Sequence, residues 1–203
     1  MELGATGIAI LVASYLLGAV PFGLVITRIA GLGDIRDIGS GNIGATNVLR
    51  TGRKDLALAT LLLDAGKGAI AVLVTSLLLG LPDFAAAAGL AAFVGHCFPV
   101  YLKFKGGKGV ATFFGTLFAV SPLVGLIAAL TWGLMALVFR MSSLSGLSAA
   151  VAAPIASYFA SGGSDWKFIA GMTLMIFIRH HENIGRILNG TESKIGKKAK
   201  EAE

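Results

Sequence analysis

The stretch Val110–Phe139, VATFFGTLFAVSPLVGLIAALTWGLMALVF, runs thirty residues without a charge. An apolar helix crosses the roughly 30 Å of bilayer hydrocarbon in about 20 residues, so thirty is too many for one ordinary crossing. Ser121-Pro122 lies near the middle, and the residue before a proline is pushed out of helical geometry. The stretch therefore divides into a short span, Val110–Val120, and a second, Pro122–Phe139. Counting it once or twice decides which side of the membrane every later loop occupies.

Working outward, three spans precede it, at roughly Leu3–Ile29, Leu56–Leu81 and Phe84–Leu102, and two follow, at Leu144–Ala160 and Trp166–Ile178. Leu3–Thr27 is uncharged and preceded by Glu2, so it reads as a retained span rather than a cleavable signal. Seven spans put the segments after spans one, three, five and seven on one side. These carry Arg28, Arg36, Arg50, Arg53 and Lys54, then Lys103, Lys105 and Lys108, then Arg140. After the last span come Arg179, Arg186, Lys194, Lys197, Lys198 and Lys200, which makes fifteen of the 17 basic residues. Excess Lys and Arg marks cytoplasmic loops. The expected fold is an all-α integral membrane protein of about seven transmembrane helices, N-terminus external and C-terminus cytoplasmic. Residues 1–193 form one membrane domain, and 194–203 a basic, disordered tail.

Composition agrees. The chain is 55% hydrophobic and only 14% charged, with mean hydropathy +0.80, too little polar surface for a globule in water. The net charge of +6 does not signal nucleic acid, because the basic residues sit at the ends of apolar runs without interleaved aromatics. Cys97 is the one cysteine, which excludes an internal disulfide and reads as a buried thiol.

Three polar segments could carry chemistry. In Gly39–Asn47, the spacing of Gly39, Gly41 and Gly44 satisfies a dinucleotide fingerprint with Asp64 beyond it. That fingerprint needs a strand–turn–helix unit, and membrane spans flank this one. Its glycines either let backbone N–H groups converge on an anion, with Ser40, Asn42, Thr46 and Asn47 as neutral donors and Arg50 as a planar fork, or they merely turn the chain. In Phe104–Thr112, Gly106, Gly107 and Gly109 interleave with Lys105 and Lys108 just before a helix start. Free N–H groups, the positive dipole end and two lysines there favour a phosphate or carboxylate. In Arg179–Arg186, His180 and Asn183 share a helix face at i, i+3 and can address one ligand together. An interfacial histidine alone equally serves a cap or a headgroup contact.

Asp64 and Lys67 are one turn apart inside an apolar span. Each costs about 2.5–3.5 kcal/mol at a helix centre, so they should pair and face the bundle. Structural pairing is the first reading and substrate contact the second. His96 reads as a packing or hydrogen-bonding histidine. Ser142 and Ser143 either cap the sixth span or donate to a phosphate. Adjacent His180 and His181 point apart on a helix, so no metal is expected.

Three blocks give the chain a family resemblance: Ser40–Arg50, Gly95–Pro99 running on to Phe104–Thr112, and Asn183–Glu192. With Leu63–Gly68, Ser142–Leu144 and Arg179-His180, they resemble the acylphosphate:glycerol-3-phosphate acyltransferases of bacterial inner membranes. The resemblance implies transfer of a fatty acyl group from acyl phosphate to glycerol 3-phosphate, giving lysophosphatidate and phosphate. It implies these two substrates and membrane lipid as partners, with no cofactor, no metal, no nucleic acid and no obligatory protein partner. The expected catalytic residues are His180, Asn183, Ser40 and Lys108. Substrate binding is expected of Asn42, Asn47, Arg50, Lys105, Gly106, Gly107, Gly109, Ser142, Ser143 and Arg186, with the three glycines of the lysine loop as backbone donors. The base is either His180 or a phosphate oxygen of the donor. The His-to-Asp spacing of other acyltransferases is missing, since Tyr101, Gly185 and Arg186 stand five residues after His96, His180 and His181. The competing class is a transporter for an anionic solute, which favours paired halves and midplane sites.

Overall fold

A computed structural model describes residues 4–161 and 165–196, and every regular element among them is helical. The turn expected at 161–164 and most of the expected tail lie outside the described residues. Lys194–Gly196 rest on the body, with the Ile195 amide donating to the Arg140 carbonyl at 2.6 Å.

The first span departs from expectation. Leu3–Ile29 is not one helix but two, α1 (Ala5–Ala19) and α2 (Phe22–Ile29), bent by 40° at Val20-Pro21. Pro21 lacks an N–H and clashes with a continuing helix. The Val20 carbonyl freed by the break accepts from the Phe22 amide at 3.1 Å and from Lys67 Nζ at 3.0 Å. After a short helix α3 (Ala45–Val48) come α4 (Lys54–Leu79) and α5 (Pro82–Cys97). α5 opens on a proline whose missing N–H would be unpaired there anyway. It closes at Cys97 before Phe98-Pro99, short of the expected Leu102. The decisive stretch divides as expected into α6 (Val110–Val120) and α7 (Pro122–Phe139), with Ser121 extended at φ −150°.

α8 (Ser142–Ser161) contains Pro154, which leaves the Ala150 carbonyl without its helical partner. Thr173 on α9 (Asp165–Arg179) supplies the missing bond at 2.6 Å. A final amphipathic helix, α10 (His181–Leu188), follows. Four stretches, Lys54–Leu79, Pro82–Leu102, Pro122–Phe139 and Ser142–Ala160, are long and apolar enough to cross a membrane, and the bent α1–α2 pair makes a fifth. α6 has 11 residues and reaches only about 17 Å. On α7, Leu130 and Leu137 are 65% and 80% exposed, a surface suited to lipid rather than water.

The core lies among α5 to α9, around Phe93, Phe113, Leu117, Ile169, Met172 and Ile176. α4 and α6 touch through glycine: a Cβ on Gly115 would stand 1.9 Å from the Ala65 carbonyl oxygen. Small residues permit such backbone approach where apolar lipid gives helices little hydrophobic reason to associate. Asp64 and Lys67 pair at 2.9 Å and face the bundle, as expected. α4, α6 and α7 together border a cavity.

Candidate active site

The segment between α2 and α4 is pinned by a small core of its own, Leu24, Ile35, Ile43, Val48 and Ala57. Asn47 organises it. Its Oδ1 accepts from the Ser40 amide at 3.0 Å and from the Ser40 hydroxyl at 3.2 Å, and its Nδ2 donates to the Ile35 and Ile38 carbonyls at 2.9 Å. An amide has two donors and two acceptor lone pairs, so Asn47 is saturated within the loop and positions Ser40. Arg50, half-buried, sends its guanidinium past Gly39 to the Ser193 hydroxyl at 2.6 Å. Thr46 meets Ser142 at 3.2 Å, which joins this loop to the start of α8.

The lysine loop before α6 is shaped by close packing. The Gly107 amide donates to the His96 carbonyl at 3.0 Å, so it is not a free donor. A Cβ on Gly107 would stand 2.1 Å from His96 Nε2. The Gly106 and Gly107 carbonyls accept from Arg179 at 2.7 and 3.1 Å, and Arg179 lies over the Phe98 ring, 5.5 Å from its centroid. Gly109 takes φ +80°, and Lys108, Gly109, Val110 and Ala111 line the cavity with the first turn of α6. Lys105, Gly106 and Gly107 do not line it. The loop therefore brings one lysine and one helix terminus to the site, and two of its three glycines serve packing.

His180 sits in the turn between α9 and α10, 3% exposed, with Nδ1 2.8 Å from the Ile176 carbonyl. A carbonyl only accepts, so Nδ1 carries the proton and Nε2 the lone pair. Burial pushes the His180 imidazole down to about 4, helped by the positive charges of Lys108 and Arg179. The ring is neutral near pH 7. Asn183 takes a bond from Lys108 on its Oδ1 and gives one from Nδ2 to Glu192 Oε1 at 2.7 Å. Glu192 Oε1 also accepts from the Ser143 hydroxyl at 2.8 Å, and Oε2 from Arg186 Nε at 2.7 Å. Burial alone would raise the Glu192 carboxyl, but Arg186, Ser143 and Asn183 together hold it below its ordinary value. Burial lowers the Lys108 ammonium, with Arg186 repelling it and Glu192 offsetting part of the effect.

These pieces enclose one cavity of about 870 Å³. Its rim carries Ser40, Asn42, Asn47, Arg50, Lys108, Gly109, Ser142, Ser143, His180, Asn183 and Arg186. Its inner wall is mostly apolar, built from Leu61, Leu62 and Ala65 of α4, Phe114 and Phe118 of α6, and Ala129 and Trp132 of α7, with Asp64 and His96 among them. Three segments far apart in sequence thus meet at one place. Glu192 and Arg179 fall in segments that carry the family resemblance, but the sequence assigns them no role in the site. Glu192 gathers three expected site residues and Arg179 clamps the lysine loop, but neither relation has a local spacing that reveals it.

Fold and site together define an integral membrane protein whose half-open cavity joins a rim of basic, hydroxyl and amide side chains to a mostly apolar interior. The family model described as glycerol-3-phosphate acyltransferase matches residues 8–190, and the chain belongs to that family. Proteins named glycerol-3-phosphate acyltransferase are similar to it. The one from Caulobacter vibrioides (strain NA1000 / CB15N) is 60% identical over 194 residues, covering 95% of this chain and 88% of that one. The one from Jannaschia sp. (strain CCS1) is 58% identical over 184 residues, covering 91% and 90%. Among solved structures, PlsY (YgiH), an integral membrane glycerol 3-phosphate acyltransferase, superposes in its glycerol 3-phosphate form with TM-score 0.90 and 38% identity, over 95% of this chain and 96% of that one. Its lysophosphatidic acid form gives 0.86 and 37% over the same shares. The transporter reading is not favoured.

Proposed function

We propose that this chain transfers a fatty acyl group from acyl phosphate to a hydroxyl of glycerol 3-phosphate, releasing lysophosphatidate and inorganic phosphate. The observation that carries this reading is the two-part cavity, with Arg50, Lys108 and Arg186 on the rim and Leu61, Phe114, Phe118 and Trp132 within. Both substrates carry phosphate, and one carries a long apolar chain. The rim matches the first feature and the inner wall the second. An acyl phosphate brings its own leaving group, so no protein nucleophile is needed. The protein holds two mutually repelling anions in line and stabilises the oxyanion that develops at the carbonyl.

In this reading Ser40, Asn42, Arg50 and Lys108 hold phosphate, with the free N–H groups at the start of α6 behind them. Ser142, Ser143 and Arg186 complete the rim, and Asn47 acts by fixing Ser40. Asn183 carries Lys108 on one side of its amide and Glu192 on the other, so it sets the ammonium relative to His180. The Nε2 lone pair of neutral His180 supports its role as the base that takes the proton from the attacking hydroxyl. Bound phosphate raises its basicity by adding negative charge nearby.

The site faces the cytoplasm at the inner membrane, with seven spans and the N-terminus outside. The support is the positive charge of the segments that meet at the rim. Purified protein in detergent, given glycerol 3-phosphate and an acyl phosphate, yields lysophosphatidate and an equal amount of phosphate. Absence of product rejects the reading. In His180→Ala, turnover near the wild-type rate would move the base role to a phosphate oxygen of the donor.

A further inference from the structure

Asp64 and His96 line the apolar part of the same cavity and belong to a buried group with Lys67. Lys67 Nζ pairs with Asp64 Oδ1 at 2.9 Å, and His96 Nδ1 stands 3.6 Å from that same oxygen. All three side chains are 4% exposed or less. Lys67 is itself anchored to the Val20 carbonyl at the break of the first span. Asp64 Oδ1 and His96 Nδ1 make no well-aligned hydrogen bond. The Nδ1 edge of the ring therefore faces the carboxylate at 3.6 Å, held by packing and not by a direct hydrogen bond.

His96 borders the cavity on one side and packs on another against the lysine loop. Its carbonyl takes the Gly107 amide, and a Cβ on Gly106 would stand 2.2 Å from that oxygen. Its ring fills the space where a Gly107 side chain would begin. Lys108 and Gly109, the next two residues, line the cavity. A lysine ammonium rides on a flexible four-carbon stem, so its reach is only as well defined as the backbone that bears it.

We propose that His96, anchored by Asp64 and Lys67, is a positioning residue that fixes the lysine loop against the floor of the site and so sets Lys108 and the first turn of α6. This inference rests on the acyl-transfer reading above. Asp64 and Lys67 are the base of the assembly, His96 its face and Gly107 the contact. Displacing a reacting or binding group by about 1 Å can cost on the order of a hundredfold in rate, which gives this buried contact its leverage.

The test is a pair of double-mutant cycles on the purified full chain in detergent, with kcat and KM measured for both substrates and unfolding midpoints recorded alongside. His96→Ala is expected to lower kcat/KM by about tenfold or more, in the same parameter that Lys108→Ala moves, and to add less than about twofold once Lys108 is alanine. The second cycle has the opposite sign. Gly107→Ala forces a methyl into the His96 ring and impairs the enzyme, whereas the Gly107→Ala/His96→Ala double, with the ring gone, is no worse than His96→Ala alone. Asp64→Asn keeps the shape, removes the charge and moves the same kinetic parameter. If His96→Ala fails to fold, the Asp64→Asn and Gly107→Ala results decide.

Losses that multiply in both doubles would overturn the positioning role while leaving the acyl-transfer reading intact. A Gly107→Ala/His96→Ala double that folds as well as His96→Ala yet falls clearly below it in kcat/KM would overturn it as well. An inactive wild type that binds no glycerol 3-phosphate by calorimetry would instead reject the acyl-transfer reading itself.

Discussion

Glu192 gives the sharpest stability prediction, because its carboxylate is the common acceptor of Ser143, Asn183 and Arg186 at 2.7–2.8 Å. In Glu192→Ala, Ser143 and Asn183, 7% and 5% exposed, keep buried donors with nothing to receive them. Each such orphan costs about 1–3 kcal/mol. The Arg186 side chain is 39% exposed, so its guanidinium reaches water and adds less than about 1 kcal/mol. The total is about 3 kcal/mol, or a fall of roughly 6–12 °C in the unfolding midpoint for a chain of this size. Glu192→Gln keeps one carbonyl oxygen for Ser143 and Asn183 but turns an NH2 towards the Arg186 donor, losing that bond and the charge, which at this partly exposed pair costs about 1 kcal/mol. The two variants also separate in function. The carboxylate forces the Asn183 amide to point Nδ2 towards it and Oδ1 towards Lys108, so alanine frees the amide to turn while glutamine retains its orientation. Thermal unfolding in detergent, with KM measured on the same samples, checks both points. Equal damage from glutamine and alanine, or an unmoved midpoint in alanine, would refute the shared-acceptor reasoning.

His180, lowered from 6.5 to about 4 in the folded protein, stays neutral while the unfolded chain takes up its proton. Stability should therefore fall as pH drops from about 6.5 to about 4, by up to about 3 kcal/mol, and level off below. His180→Gln should flatten that part of the curve, and parallel wild-type and variant curves would contradict it. Gly115→Ala presses a methyl onto the Ala65 carbonyl and should cost about 1–3 kcal/mol by parting α4 from α6, read as a lowered unfolding midpoint. Thr173→Val removes the donor to the Ala150 carbonyl that Pro154 leaves open, at about 1 kcal/mol. In a Pro154→Ala background, where residue 154 regains an N–H, that cost should vanish, and a double-mutant cycle on unfolding reads the difference.

The legible part of the fold was charge and length. Thirty uncharged residues do not fit one crossing, and Ser121-Pro122 marks where they divide; the structure breaks there. The same proline signal at Val20-Pro21 went unused, because the surrounding apolar run fits a single span and its length raises no conflict. The site was legible where side-chain type decides the chemistry, as for Arg50, Lys108, His180 and Asn183, which all reach the cavity. It was not legible where the use of a residue depends on its tertiary neighbour. A glycine beside a lysine can offer an amide or simply leave room, and the His96 ring and carbonyl decide that Gly107 does the latter. Asn47 has the composition of a ligand, yet four carbonyl, amide and hydroxyl partners within its own loop consume it.

For the proposed reaction, a rim so rich in cations also needs neutral donors. Arg50, Lys108, Arg186 and Lys194 set four positive charges around the cavity against two carboxylates, Asp64 and Glu192. The balance of about two roughly matches a single phosphate monoester, which carries about −1.5 to −2 near neutral pH. In the proposed reaction two phosphates must occupy the rim at once, so the second cannot be held by unspent lysine or arginine charge. It must be met by groups that stabilise an anion without themselves repelling one another, namely the Ser40, Ser142 and Asn42 side chains and the open N–H groups of α6 with their partial positive charge. A further buried cation would relieve the shortfall, but at the cost of desolvating it beside like charges. Hydroxyls, amides and a helix terminus carry no such penalty, and glycine, serine and asparagine therefore crowd the same loops as the basic residues.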